Sequence, residues 1–211
     1  MIELFTASTH NGYRANIALA ESGLPYRVTK VVLSAPVPDR GTGFLSATPY
    51  GRIPAIIDPD GPGAAPGKPT TVSQSGAVMM YVANKSGKLW PKSDADKIVA
   101  LQWLMMACSD AAVWNAVMNQ MAMGMFPDKS DANTAFAKDK RLMRWLGEAD
   151  ERLGHVAYLA GGEVSLPDFA LYPIVNQRKA WVEEAGMKNL LRWWATLSVR
   201  PGVQKGMAES A

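Results

Sequence analysis

The sequence predicts a small α/β unit followed by an all-helical unit. Three observations carry this. Strand-like runs at 2–6, 26–33, 55–57 and 70–72 are interleaved with helical spacing at 13–20 and 75–85. The chain then changes character at Gly87–Ser93, and beyond it every periodic stretch has the spacing of a helix. With 211 residues, of which 48% are hydrophobic, there is enough apolar material for one sizeable core or two small ones. The boundaries read as 1–86 for the α/β unit, 87–95 for a linker and 96–211 for the helical unit.

Ile2-Glu3-Leu4-Phe5-Thr6 is a short apolar run and reads as the first strand. The polar turn Ser8–Gly12 follows. Tyr13, Ile17, Ala18, Leu19 and Ala20 then carry helical spacing, with Asn11 a candidate N-cap and Gly23 a candidate C-cap. Tyr26 to Leu33 is β-branched and alternating, a second strand. Strand, helix and strand of this length make a βαβ crossover. Residues 34–50 are irregular, with a short helix near Gly43–Ala47. Ala55–Ile57 and Thr70–Val72 are short strands. The Pro/Gly-rich stretch Asp58–Pro69 between them has no core residues and reads as a surface loop or hairpin tip. Ser75–Lys85 is helical, with Ala77, Val78, Tyr81 and Val82 on one face.

Asp96 to about Met123 reads as one long helix, apolar almost all round between Ile98 and Cys108, which implies burial. Asp131 to about His155 is a second, amphipathic one. Three shorter helices follow at Leu166–Trp181, Met187–Ala195 and Gly202–Ala208.

Composition excludes several classes of function. Net charge is +3, from 22 basic and 19 acidic residues spread along the chain, too small an excess to argue for nucleic acid. The single cysteine, Cys108, permits no disulfide framework and no CxxC motif, which fits a reducing, cytoplasmic setting. The first residues have no basic and apolar leader pattern, and no 18-residue apolar run occurs, so neither export nor membrane insertion is expected. The two histidines, His10 and His155, are far apart, so no metal site is expected.

Three stretches could carry chemistry. In Tyr50-Gly51-Arg52-Ile53-Pro54-Ala55 a proline opens a strand, tolerated only at an edge or a first position because it lacks an N–H. A cis Ile53–Pro54 bond would reverse the chain there. It would leave the Ile53 N–H and C=O facing outward, where an extended peptide could pair with them. A trans bond would make an ordinary strand start. Ser8-Thr9-His10-Asn11 lies at a helix N-terminus, which favours an anion such as a thiolate, with the Thr9 hydroxyl as donor; the same residues could simply cap the helix. Val72-Ser73-Gln74-Ser75-Gly76 is another helix start, suited to a carboxylate, or else a Ser cap beside a small packing residue.

Together these three stretches, with Gly51-Arg52-Ile53-Pro54-Ala55, Gln74-Ser75-Gly76-Ala77 and Ser165-Leu166-Pro167-Asp168, resemble the cytosolic glutathione transferases over nearly the whole chain. The resemblance implies a thioredoxin-like N-terminal domain, an all-α C-terminal domain, and glutathione as co-substrate without a metal. It implies that Ile53 pairs its backbone with the cysteinyl part of glutathione. Gln74 and Ser75 would hold the γ-glutamyl end, and Arg52 would reach the glycyl end. Ser165–Asp168 matches the family's capping box, a folding element. Thr9-His10-Asn11-Gly12 and the 58–69 insert resemble the bacterial nu class, some relatives of which reduce disulfides with two glutathiones. There the residues matching Thr9 and Asn11 sit near the sulfur. Phe5 and Thr6 stand where other classes carry a catalytic tyrosine, and no cysteine lies in the turn. Thr48 stands where the family more often has Asn, and Ala112-Val113-Trp114 where the nu-like group often has Gly-Pro. A basic residue early in the next helix also assists that group, with Lys138, Lys140 and Arg141 as candidates. His10, Trp114 and Met118 are candidates to line a pocket for the electrophile. Six of the twelve methionines fall between Met105 and Met125, as an adaptable pocket or as core filler. Cys108 reads as inert, and Trp193-Trp194 as helix packing. Conjugation, disulfide or peroxide reduction, glutathione-dependent isomerisation, dehalogenation or ether cleavage, and non-catalytic glutathione binding all remain open at this point, and a homodimer is the expected assembly.

Overall fold

The computed structural model describes residues 1–48, 50–125 and 130–209. The chain divides into two compact units, Met1–Trp90 with Val199–Ala211, and Pro91–Ser198.

The first unit is built on a four-stranded sheet in the order β2-β1-β3-β4. The strands are β1 (Ile2–Thr6), β2 (Tyr26–Lys30), β3 (Ala55–Asp58) and β4 (Thr70–Ser73). β1 and β2 are parallel and joined through α1 (His10–Ser22); the other pairs are antiparallel. Side chains alternate across the sheet. Phe5, Ala55 and Ile57 share the face packed by Phe44 of α2 (Thr42–Ala47), with the Phe5 and Phe44 rings 5.7 Å apart. Ile2, Leu4 and Ile56 are buried on the other face, the side of α1 and α3 (Ser75–Ser86). Gly23 and Gly87 end these helices in the left-handed conformation, which glycine adopts without steric cost.

Four expectations change here. Thr9, not Asn11, caps α1: its backbone is extended and its hydroxyl accepts the Gly12 N–H at 3.1 Å. β2 stops at Lys30, because the chain turns at Val32–Ala35 and leaves Val32 and Leu33 exposed. The stretch from Asp58 is not all surface. Asp58 is buried, 2.6 Å from both Lys85 Nζ and Tyr81 Oη, and accepts the Asp60 N–H. Burial pushes its carboxyl up, but the hydrogen bonds from Lys85, Tyr81 and Asp60 outweigh burial and hold it below the usual carboxylate range.

The fourth change concerns the end of the chain. α11 (Pro201–Ala208) packs on α1, so 199–211 fall in the first unit although they continue the expected helical domain in sequence. The reason is close packing. A Cβ on Gly206 would lie 2.6 Å from the Ile17 backbone, and one on Gly202 would lie 2.7 Å from Glu21. Asn16 Nδ2 donates to the Gly206 carbonyl, and Arg200 grips Glu21 with two hydrogen bonds.

Among the described residues every regular element of the second unit is a helix, with an isolated bridge between Tyr158 and Gly161 in the connection before the helix that starts at Leu166. α4 (Asp94–Met105) begins two residues earlier than expected because Ser93 accepts the Asp96 N–H. It runs through a π-helical segment, Met106–Ala111, into α5 (Ala112–Ala122). The second long helix is likewise α6 (Asp131–Ala135), a π segment Phe136–Leu142 and α7 (Met143–Leu153). α8 (Leu166–Gln177) is buried continuously from Leu166 to Val175, the signature of a helix surrounded by others. The helix expected to reach Trp181 breaks at Arg178, where α9 (Lys179–Glu184) starts, and α10 (Lys188–Ser198) completes the unit. α4 is not buried all round. Ala100 and Leu104 face inward, whereas Ile98, Leu101 and Met105 are 62%, 46% and 45% exposed along the opposite stripe.

Candidate functional site

Strand register places the three candidate stretches of the first unit at one rim. Phe5 of β1 pairs with Ala55 of β3, and Ala55 with Ser73 of β4. The turn after β1, the Ile53-Pro54 entry to β3 and the Gln74-Ser75 exit from β4 therefore leave the sheet together. The Ile53–Pro54 bond is cis. Among the described residues nothing hydrogen-bonds the Ile53 N–H or C=O. The turn before it is held from two sides. The Gly51 N–H donates to the Thr48 carbonyl, and the Arg52 N–H to its hydroxyl at 3.4 Å. Arg40, which sequence reasoning missed, donates to the carbonyls of Leu33, Ala35 and Gly51 at 2.6, 3.0 and 2.8 Å. Its guanidinium fork thus fastens the loop after β2 to the residue before Arg52, which is itself exposed.

At the start of α1, the Thr9 hydroxyl oxygen accepts the Gly12 N–H, while no acceptor among the described residues takes its hydrogen. Gly12 is required there: a Cβ would lie 2.1 Å from the Ala7 carbonyl oxygen and 2.6 Å from Thr6 Oγ1. Asn11 lies inside the first turn. Its Oδ1 accepts from Arg14 Nη1 at 2.7 Å and from Ser75 Oγ at 3.2 Å. That second bond joins the α1 turn directly to the start of α3. Arg14 is fully buried, a position sequence alone did not suggest for an arginine. Gln74, the residue before α3, is exposed and has φ +76°, a backbone region non-glycine residues occupy at a cost of about 1–3 kcal/mol, usually at functional positions. His10 is the first residue of α1 and half-buried.

The remaining candidates lie in the second unit. Trp114 of α5 is half-buried and meets Phe136 edge-on, with ring centres 6.1 Å apart. The Arg141 guanidinium sits over both rings, at 5.2 and 4.9 Å. Phe136 and Arg141 both belong to the second π segment; such segments recur at functional positions. Lys138 instead pairs with Glu184 and lies over Trp181, and Lys140 is exposed. Met118 is 6% exposed and faces the interior. Cys108 is half-buried in the first π segment. Arg178 is held by Asn115 and Asn119 and stacked on Trp181; burial pushes its pKa below the usual arginine range.

Comparison with known proteins fits this geometry. Residues 10–85 match the glutathione S-transferase N-terminal domain, and residues 105–201 the glutathione S-transferase C-terminal domain. The chain is 28% identical to the disulfide-bond oxidoreductase YfcG of Escherichia coli, across 100% of this chain and 96% of that one. It is 29% identical to the glutathione S-transferase-like protein OpS6 of Beauveria bassiana, across 95% and 91% of the two chains. A glutathione transferase family member from Pseudomonas fluorescens, solved with two glutathiones bound, superposes with a TM-score of 0.85 at 28% identity, covering 98% of this chain and 92% of that one. One from Pseudomonas putida, solved with one glutathione disulfide per subunit, has a TM-score of 0.82 at 29% identity, covering 100% and 92%.

Proposed function

Because the chain belongs to the glutathione S-transferase family, we propose that it binds glutathione along the Ile53 edge and activates its thiol at the start of α1. Ile53 pairs with the cysteinyl backbone, Gln74 and Ser75 take the γ-glutamyl end, and Arg52 the glycyl carboxylate. Thr9 and Asn11 donate hydrogen bonds to the sulfur. The observation that carries the reading is the Ser75–Asn11 hydrogen bond, which ties the carboxylate end of the site to the sulfur end. The helix termini supply N–H groups and partial positive charge for both anions.

The thiolate then has two uses. It can attack an electrophilic carbon, whose leaving group departs with the bonding electrons. It can also attack a disulfide: one S–S bond forms as the other breaks, and the released thiolate takes up a proton. A second glutathione thiolate resolves the mixed disulfide, giving glutathione disulfide and the second thiol. Likeness to YfcG and to structures holding two glutathiones or glutathione disulfide favours the second use. Arg141, stacked on Trp114, is the basic residue assigned to the carboxylates of the second substrate, with Trp114 as a further contact. Retention on glutathione-agarose, then turnover with a disulfide and with an aryl halide, tests the reading. We expect disulfide turnover to dominate and Arg141→Ala to raise the disulfide KM about tenfold, the loss of one charge-assisted contact. Retention without turnover of either substrate identifies a binding scaffold instead.

The assembly we propose is a homodimer that covers the exposed Ile98, Leu101 and Met105 stripe of α4. Leu101→Asp should then yield monomers by light scattering, and an unchanged dimer would rule this face out. Among the described residues no helix is long and apolar enough to cross a membrane. We assign the protein to the cytoplasm on its single cysteine and its need for reduced glutathione; cell fractionation that places it elsewhere would refute this.

A further inference from the structure

We infer that Arg14 is a positioning residue that, with Ser75, holds the Asn11 amide so that its Nδ2–H donors face the glutathione sulfur. The inference rests on the binding reading above. An amide oxygen has two lone pairs, and both on Asn11 Oδ1 are in use, by Arg14 Nη1 at 2.7 Å and Ser75 Oγ at 3.2 Å. A flip of the amide would set its NH₂ against the Arg14 guanidinium, donor against donor. Arg14 is fully buried, so its guanidinium has no solvent to retreat into if that bond is lost.

Two consequences follow from this orientation. Nδ2 is turned away from both partners, and among the described residues no acceptor takes its hydrogens. It is a pre-set donor in the first turn of α1, two residues from the Thr9 hydroxyl. A charged donor on Oδ1 also polarises the amide, which strengthens what Nδ2 can give to an anion. The second consequence couples the two ends of the site. Ser75, assigned to the γ-glutamyl end, is one of the two groups that hold Asn11. Its one hydroxyl hydrogen goes to Asn11, so it meets the γ-glutamyl amine with an oxygen lone pair and still holds the amide, beside Arg14, when glutathione is bound. Arg14 itself touches no reacting atom in this scheme and acts only through Asn11.

The test is the pKa of the glutathione thiol bound to the full chain, read from thiolate absorbance against pH. Arg14→Met should raise it by about one pH unit and lower kcat about tenfold at pH 7 with little change in KM, the effect of one weakened hydrogen bond to the anion. Arg14→Lys should restore most of it, since a single N–H reaches Asn11. Arg14→Met should add nothing in an Asn11→Ala background. An equal rise in both backgrounds means that Arg14 acts on the sulfur by charge alone, and overturns the inference. So does an unmoved pKa in folded Arg14→Met. If that variant does not fold, Ser75→Ala at saturating glutathione closes the same cycle: a rise that depends on Asn11 supports the inference, and no rise, or one independent of Asn11, defeats it. Wild-type chain that fails to retain glutathione overturns the binding reading and this inference with it. Wild-type chain that retains it while the variants leave the thiol unmoved overturns this inference alone.

Discussion

Replacing Asp168 by Ala should lower stability by about 3 kcal/mol at pH 7, a fall in melting temperature of about 10 °C. Asp168 is fully buried at the start of α8, and its carboxylate gathers three N–H donors. It accepts from Ser165 N at 2.9 Å, Leu159 N at 2.9 Å and Trp193 Nε1 at 2.8 Å. Alanine leaves all three without a partner in a space closed to water, each at a cost of about 1–3 kcal/mol. Against this stands one relief. Burial pushes the Asp168 carboxyl up to about 6 despite those hydrogen bonds. Holding it ionised at pH 7 therefore costs about 3 kcal/mol relative to the unfolded chain, and alanine removes that cost. The orphaned donors outweigh the relief.

The sign of the pH effect follows. The folded pKa lies above the unfolded one, so between about 6 and about 4 the folded chain holds the extra proton, and Asp168 contributes more to stability as pH falls. The gap between wild type and Asp168→Ala should widen across that window. Thermal melts by circular dichroism at pH 7 and pH 5 check this. A gap that narrows on acidification would mean that the three N–H groups stabilise the anion more than burial opposes it.

The capping box around Asp168 was legible in the sequence because it is local: Ser and Asp three residues apart before an apolar run specify a helix start wherever they occur. The Gln74-Ser75 helix start was legible for the same reason, whereas the residues around Ile53-Pro54 marked a proline opening a strand but left cis and trans open, and the structure decides for cis. What sequence did not reveal depends on distant partners. Thr9 and Asn11 are equally good caps by residue type; the extended backbone at Thr9 decides, and frees Asn11 to reach Ser75, sixty-four positions away. Arg14 and Arg40 look like ordinary surface charges until the carbonyls and the amide they bind are placed around them. The move of α11 onto α1 had a faint sign in Gly202 and Gly206, four residues apart on one helix face, which let two helices approach closely. The exposed α4 stripe was hidden because an apolar residue at the surface and one facing the core look alike in sequence.

Thr9→Ala should raise the pKa of bound glutathione by about 1–2 pH units and cut turnover at neutral pH about 10–100-fold. The free thiol ionises near 8.5. Bringing it two units lower takes about 2.7 kcal/mol of preferential stabilisation of the thiolate. One hydrogen bond to a charged acceptor supplies about 1.5–3 kcal/mol, and a helix N-terminus up to about 1. No basic side chain is then required at the sulfur. The Thr9 hydroxyl can serve because its two functions use different parts of the group: a lone pair takes the Gly12 N–H, and the hydrogen remains for the sulfur. Alanine removes both, so the α1 cap also weakens by about 1 kcal/mol, a loss visible in melting but not in the pKa. Thr9→Ser keeps the hydroxyl and should restore turnover. The activity deficit of Thr9→Ala should shrink as pH rises through the variant's bound-thiol pKa, because thiolate then forms without help. A deficit that stays constant from pH 6 to 9, with an unmoved thiol pKa, would show that Thr9 only caps the helix and that sulfur activation belongs to Asn11 and the helix end.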